Sequence, residues 1–221
     1  MEDSLILTDA KARMEAGLPF RDDDPKLQEL HFTNLHRLWK LNQCDPLDKE
    51  KRRQLLKEAV PNAGEGFYAQ SPFHCDYGFN IHTGKNVYIN YKCVILDVGR
   101  VTIGSGVMIG PNVAIYAVGH PIHPEPRVQG KLDYGREVVI GDNVWIGGNS
   151  VLNPGVHIGE NTVIGSGSVV TRDIPANVVA FGNPCRVYRA ITEAEKAATA
   201  EGKPLIPAAP INPDHYSAKS G

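Results

Sequence analysis

Ile140-Gly141-Asp142-Asn143-Val144-Trp145-Ile146-Gly147-Gly148 sets two Ile-Gly pairs six residues apart, with valine at the fifth place between them. Carried downstream, the same spacing gives first places at Leu152, Ile158, Ile164 and Val170. Carried upstream past an interruption, it gives Ile115, Ile109, Ile103, Ile95, Ile89, Thr83 and Tyr77. Glycine also follows the first place at Gly78, Gly84, Gly104, Gly110, Gly159 and Gly165, and the fifth place is small or β-branched at Val87, Val107, Val113, Val156, Thr162 and Ser168. Such a period fits neither the roughly 3.6-residue turn of a helix nor the two-residue alternation of a strand. It therefore describes a supersecondary repeat.

Six residues suit one short strand and one tight turn. Three such units make a triangular coil, and stacked coils bury the first-place residues in a column. Each buried isoleucine contributes roughly 1.5–3 kcal/mol of transfer free energy, which no unit gains alone. Glycine serves where φ is positive or where coils approach closely. The repeat slips twice. Two extra residues enter between Ile95 and Ile103, in the Asp97–Arg100 stretch, and a longer excursion covers about residues 119–139. Long loops extruded from regular scaffolds often carry function, and this one holds His120, His123, Arg127, Asp133 and Tyr134.

At 221 residues the chain suits one main domain with appendages. Residues 1–62 lack the six-residue beat and read as helical: a short helix capped near Thr8-Asp9 and ending at Gly17, a second through Leu27, Leu30, Leu35, Leu38 and Trp39, and a third from about Asp48 to Ala59, halted by Pro61. This segment serves as a cover for the open end of the solenoid, as a contributor to substrate binding, or as both. The solenoid spans 63–190, and 191–221 holds a short helix from Thr192 to Glu201 and a mobile Pro/Ala-rich tail. A formal charge of −2 without a basic run argues against nucleic acid. No apolar run reaches membrane-spanning length and no secretory signal opens the chain. Cys44, Cys75, Cys93 and Cys185 show no metal or redox spacing, which suits a cytoplasmic setting.

Five stretches carry a more specific resemblance: Asp76-Tyr77-Gly78-Phe79-Asn80-Ile81, Asn90-Tyr91-Lys92-Cys93-Val94-Ile95-Leu96-Asp97, Gly119-His120-Pro121, Ile140 through Gly148, and Asn153-Pro154-Gly155-Val156. With the N-terminal helices, over about residues 5–190, the chain resembles the maltose/galactoside O-acetyltransferase group of the hexapeptide-repeat acyltransferases, which includes nodulation-type acetyltransferases. The resemblance implies a mainly β fold, a left-handed parallel β-helix whose hand periodicity does not reveal. It also implies acetyl-CoA as co-substrate, a homotrimer with sites between subunits, and no metal.

Acyl transfer to a sugar hydroxyl needs a base to take the proton as attack begins, and a backbone N–H donor for the oxyanion is worth about 3 kcal/mol. An imidazole has the intrinsic pKa for the base. Read alone, His120 is an ordinary loop histidine; the resemblance makes it the catalytic base and makes Asn90 the group that orients the acceptor hydroxyl. Asn90 equally suits a corner turn. By the same resemblance Asp22, Asp76, Asp97 and Tyr88 line the acceptor pocket. Aspartate at position 76 replaces another small polar residue common in the group, and Val98 stands where some members carry a second acid, which weakens a transfer of galactoside specificity. Trp145, Gly148 and Ser166 would flank the pantetheine arm, and Thr171, Arg172, Arg186 and Arg189 would meet phosphates. Other readings remain open at this level: an antibiotic acetyltransferase of the same fold, a non-catalytic scaffold, or a zinc hydratase using His120, His123 and His157.

Overall fold

The computed structural model describes residues 9–200, with side chains to residue 196. One compact unit runs to Arg189 and a second begins at Ala190. The first is mainly β, the expected left-handed parallel β-helix, of about 6 turns. Its three long sheets hold seven, five and four strands. Ile89 pairs with Ile109, Ile109 with Ile146 and Ile146 with Ile164 on the first. Ile95, Ile115, Leu152 and Val170 follow one another on the second, and Thr83, Ile103, Ile140 and Ile158 on the third. Every isoleucine of these columns is at most 2% exposed, so the six-residue pattern is the core itself. Cys93, at a fifth place, is buried and directs its thiol to the Gly110 carbonyl at 3.1 Å.

Of the two reasons for glycine, close approach dominates at the second place. A Cβ on Gly147 would stand 2.5 Å from the Ser166 amide nitrogen of the next coil. Positive φ is shared between glycines such as Gly106 and Gly167 and the corner asparagines Asn86, Asn112, Asn143, Asn149, Asn161 and Asn177, a residue that tolerates the left-handed region. Asn143 Nδ2 donates to Asn161 Oδ1 at 3.0 Å, and Asn161 Nδ2 to Asn177 Oδ1 at 2.9 Å, so one corner is laced between coils.

One assignment needs correction. Cys75, not Tyr77, pairs with Ile95, so the column passes through Cys75 and the chain slips again before Thr83. The offset between Cys75 and Thr83 equals that between Ile95 and Ile103, and counting back by six from Thr83 misses it. Tyr77 instead packs with Ala10, Met14, Phe20, Leu27 and Val98 in a second apolar cluster.

Three helices precede the solenoid: α1 (Ala10–Glu15), α2 (Pro25–Gln43) and α3 (Lys49–Ala59). Asp9, Asp24 and Asp48 cap them by accepting backbone N–H bonds, and Pro25 begins α2 where its missing N–H costs nothing. Leu38 and Leu41 of α2, with Leu55, Leu56 and Ala59 of α3, join the solenoid core, whereas Leu35 and Trp39 face outward. Polar side chains seal the free edge of the first coil. Asn42 both donates to the Phe73 carbonyl and accepts from its N–H, at 3.0 Å each, while buried Arg52 donates to the Ala69 carbonyl at 3.0 Å. The second unit contains α4 (Glu193–Ala200), where Glu195 accepts the Thr192 N–H at 2.8 Å in the manner of a capping box. The Pro/Ala-rich tail beyond it lies outside the described residues. Among the described residues no helix is long and apolar enough to cross a membrane.

Candidate active site

The excursion after Ile115 is a folded hairpin. Strand Val118–Gly119 runs antiparallel to Leu132–Gly135, which in turn pairs with Phe20–Arg21 from the N-terminal segment. Val118 faces Gly135 and Gly119 faces Tyr134; the next rung sets His120 opposite Asp133. A Cβ at position 119 would lie 2.7 Å from the Tyr134 ring, so glycine lets that ring lie against the strand. The intervening turn is a short π-helix, Glu125–Gln129, and Arg127 ties it back by donating to the carbonyls of Pro121 at 3.0 Å and Ile122 at 2.8 Å.

His120 Nδ1 donates to Asp133 Oδ1 at 2.6 Å. That bond fixes the ring and leaves Nε2 as the acceptor nitrogen, on a side chain more than half exposed. The Asp133 carboxyl titrates above the ordinary range: burial raises it more than His120 lowers it.

Asp133 also lines a cavity of about 190 Å³ shared with Asp22, Gln28, His31, Asp76, Tyr77 and Val98. Each segment that supplies a wall is placed for a structural reason. Asp22 follows the N-terminal strand and its N–H bonds the Lys131 carbonyl at 3.1 Å. Gln28 and His31 lie on α2, and Gln28 donates to the Asp22 carbonyl at 3.1 Å. His31 stands 4.0 Å from Asp76 and edge-on to the Tyr77 ring. The Asp76 carboxyl is pushed up to about 6, chiefly by burial and then by the charge of Asp133. Asp97 stands behind this wall, fully buried, and its Oδ1 accepts the N–H groups of Asp76 and Tyr77 at 2.9 Å each. Burial raises it to about 6 against those hydrogen bonds. It sits beneath the pocket and positions Asp76.

The remaining sequence candidates occupy other faces. Asn90 N–H bonds the Ile109 carbonyl, Gly110 N–H that of Ile146, and Gly147 N–H that of Ile164. Asn90, Gly110, Gly147 and Gly165 therefore stack along one edge of the prism, with Gly148 and Ser166 one residue further along the same corner. Tyr88, Met108 and Trp145 align on the adjoining seven-stranded sheet, with Trp145 exposed. Thr171 and Arg172 follow the strand ending at Val170 on a different sheet. Arg186 and Arg189 lie on Arg186–Ala190, the end strand of the seven-stranded sheet. Within one chain, neither Asn90 and Tyr88 nor this second set lines the cavity beside His120.

Two family profiles match: "Maltose acetyltransferase hexapeptide capping motif" over residues 13–64 and "Bacterial transferase hexapeptide (six repeats)" over residues 137–172. The galactoside O-acetyltransferase of Escherichia coli K12 is 45% identical over 184 residues, 83% of this chain and 90% of that protein. The chain belongs to the maltose/galactoside O-acetyltransferase group. Solved structures agree with the assignment. A galactoside acetyltransferase in complex with coenzyme A superposes with a TM-score of 0.81 at 44% identity, covering 85% of this chain and 94% of its own. A maltose O-acetyltransferase from Clostridium difficile 630 gives 0.81 at 42% identity, covering 83% and 97%.

In this acetyltransferase the N-terminal segment supplies more of the cavity wall than the motifs indicate. Gln28, His31 and Tyr77 were not named as site residues, and Asp133 was noted only as part of the loop. The signal for Asp133 was available in the hairpin register, which needs both strand limits. His31 carries no local motif, since only the packing of α2 against Tyr77 brings it in. His120, His123 and His157 do not converge, and among the described residues no group of three His, Cys, Asp or Glu is arranged to hold a metal ion.

Proposed function

We propose that the protein transfers the acetyl group of acetyl-CoA to a sugar hydroxyl, with His120 as general base. The observation that carries this reading is the His120–Asp133 pair at the wall of a carboxylate-lined cavity. Asp133 holds the ring so that Nε2 takes the hydroxyl proton while the oxygen attacks the thioester carbonyl. The new O–C bond forms, the C–S bond breaks, and the leaving thiolate recovers the proton from His120. Attack occurs directly within a ternary complex, without a cysteine intermediate. Cys75 is buried and its thiol is pushed well up by that burial, which suits a packing role.

The edge bearing Asn90, Gly148 and Ser166, beside Trp145, is the place for the pantetheine arm. Gly148 passes so near Pro111 that a Cβ would stand 3.0 Å from its carbonyl oxygen, and the small residues leave backbone accessible there. Arg186, Arg189, Thr171 and Arg172 are the candidates for the phosphates. A homotrimer accounts for the separation of this edge from the His120 cavity, because a neighbouring copy supplies what one chain keeps apart. The described cysteines are all free, which fits a reducing cytoplasm.

The test is CoA release from acetyl-CoA across a panel of sugars, comparing wild type with folded His120→Ala. Sugar-dependent release that falls about a hundredfold or more in the variant is expected. Release that survives the substitution removes His120 as the base; no release with any sugar removes the function. Sedimentation at working concentration is expected to give a trimer, and an active monomer at high dilution overturns the shared-site assembly.

A further inference from the structure

The N-terminal strand is joined to the His120 hairpin by little backbone. Phe20 pairs with Asp133 and Arg21 with Leu132, and the Asp22 N–H bonds the Lys131 carbonyl at 3.1 Å. Those few rungs carry two carboxylates on which the site turns: Asp133, which holds His120, and Asp22, which lines the cavity. A ladder of this length is marginal in water without further support. One side of it is anchored by Phe20, 2% exposed in the apolar cluster with Tyr77 and Val98. The side next to Asp22 is held by charge instead.

Asp23 stands one residue past the last of these bonds and accepts from both strands. Arg21 Nε donates to its Oδ1 at 2.9 Å and Arg21 Nη2 to its Oδ2 at 2.8 Å, a two-pronged arrangement. Lys131 Nζ, across the ladder, donates to the same Oδ2 at 3.2 Å. Arg21 first and Lys131 second hold this carboxyl well below the ordinary carboxylate range. Lys131 has a φ of 48°, a region that disfavours a side chain and suits glycine or asparagine; the ammonium is what a lysine adds there. Asp24 caps α2, and Gln28 of α2 donates to the Asp22 carbonyl at 3.1 Å. Three successive aspartates thus divide the work: Asp22 lines the cavity, Asp23 ties the strands and Asp24 starts the helix.

We propose that Asp23, bound to Arg21 and Lys131, is a positioning clamp that keeps Asp22 and Asp133 in one register and so sets the acceptor side of the site. This rests on the transferase reading above. None of the three clamp residues lines the cavity, so the clamp acts through the ladder. When it loosens, the strands part beside Asp22, that carboxylate leaves the wall, and Asp133 loses the orientation that fixes the His120 ring. The edge proposed for acetyl-CoA lies on other coils and is untouched. Each clamp bond is partly exposed and weak alone, and salt screens such pairs, so the effect is graded and depends on ionic strength.

The experiment compares wild type, Asp23→Asn, Lys131→Gly, Lys131→Arg and the Asp23→Asn/Lys131→Gly pair. It combines steady-state kinetics, with acetyl-CoA and a sugar that supports turnover, and amide hydrogen exchange of the same proteins. Asp23→Asn is expected to lower kcat/KM for the sugar about three- to tenfold, with the KM for acetyl-CoA within about twofold. Lys131→Gly is expected to lower it about threefold while the urea midpoint moves little, because glycine relieves the backbone at that position; a lysine that served stability alone would not separate the two. Lys131→Arg should stay within about twofold of wild type. The double variant should fall no further than Asp23→Asn, and high salt should bring wild type toward Asp23→Asn. Exchange in segments 18–24 and 129–135 should rise about threefold or more in Asp23→Asn, with the solenoid unchanged. Unchanged sugar kcat/KM in Asp23→Asn or Lys131→Gly, a loss shared equally by the KM for acetyl-CoA, or fully additive losses in the double variant overturn the clamp. Exchange needs no turnover, so the two readings fail separately. Raised exchange without CoA release from any sugar removes the transferase and keeps the clamp; turnover with unchanged exchange removes the clamp alone.

Discussion

Replacing Asp97 with asparagine removes a charge from a position that solvent does not reach. The native carboxylate accepts two backbone N–H bonds through Oδ1, while Oδ2 has no partner. Burial lifts its pKa from 3.8 to about 6. Because the folded value lies above the unfolded one, the native state binds the proton more tightly, and stability falls as pH rises between about 4 and 6. Below that window both states are protonated and no penalty applies; above it the full penalty, roughly 3 kcal/mol, weighs on the folded state. The asparagine keeps the accepting oxygen but places an unpartnered N–H₂ where Oδ2 stood, at a cost of roughly 1–3 kcal/mol. Stability at pH 7.5 therefore changes little, and the pH slope is what discriminates. Urea unfolding at pH 4.5, 5.5 and 7.5, at one protein concentration, should show wild type losing more stability across this range than Asp97→Asn. The difference should approach roughly 2 kcal/mol, since about a third of the penalty is already present at pH 4.5; the part due to Asp76, raised in the same window, remains in both proteins. Parallel pH profiles for the two proteins would refute the claim that Asp97 is ionised and penalised in the fold.

Other substitutions probe other links. Asp133→Asn is expected to lower kcat by about a hundredfold while the KM for acetyl-CoA stays within about twofold, since the change acts through the orientation of His120; an unchanged kcat would free the histidine from that carboxylate. Leu152→Ala, in the column between Ile115 and Val170, should cost roughly 2–5 kcal/mol in chemical denaturation, and a cost under 1 kcal/mol would mean that the coil collapses around the void. Joint replacement of Cys75 and Cys93 by alanine should leave turnover of the folded protein largely intact, and its loss in a folded variant would revive a thiol intermediate.

The solenoid was legible because its rule is local. An isoleucine that must point inward recurs at each strand, and the glycine after it answers to the next coil, as at Gly147 under Ser166. The rule misplaced Tyr77 because an insertion repeated in two successive coils preserves the count while shifting the column to Cys75. The site was legible in part. Gly119-His120-Pro121 marked the proposed base, and Asp22 and Asp76 belong to the cavity wall. Asp97, grouped with them by motif, faces inward to the Asp76 and Tyr77 amides, a distinction of orientation that composition does not carry. His31 and Gln28 reach the cavity through helix packing, for which no spacing in the chain stands as a sign.

The edge on which Asn90, Gly110, Gly147 and Gly165 stack behaves as a ruler. Each step along it is one coil, roughly 4.8 Å, so Asn90 and Gly165 stand about 14 Å apart by strand spacing alone. The ruler is graduated in whole coils. Removing eighteen residues, the offset between Ile146 and its partner Ile164, would shorten the edge by one mark and leave every remaining column paired. Reach along this edge is thus adjustable only in discrete lengths, and evolution on such a scaffold tunes distance by counting turns and tunes chemistry by changing corners.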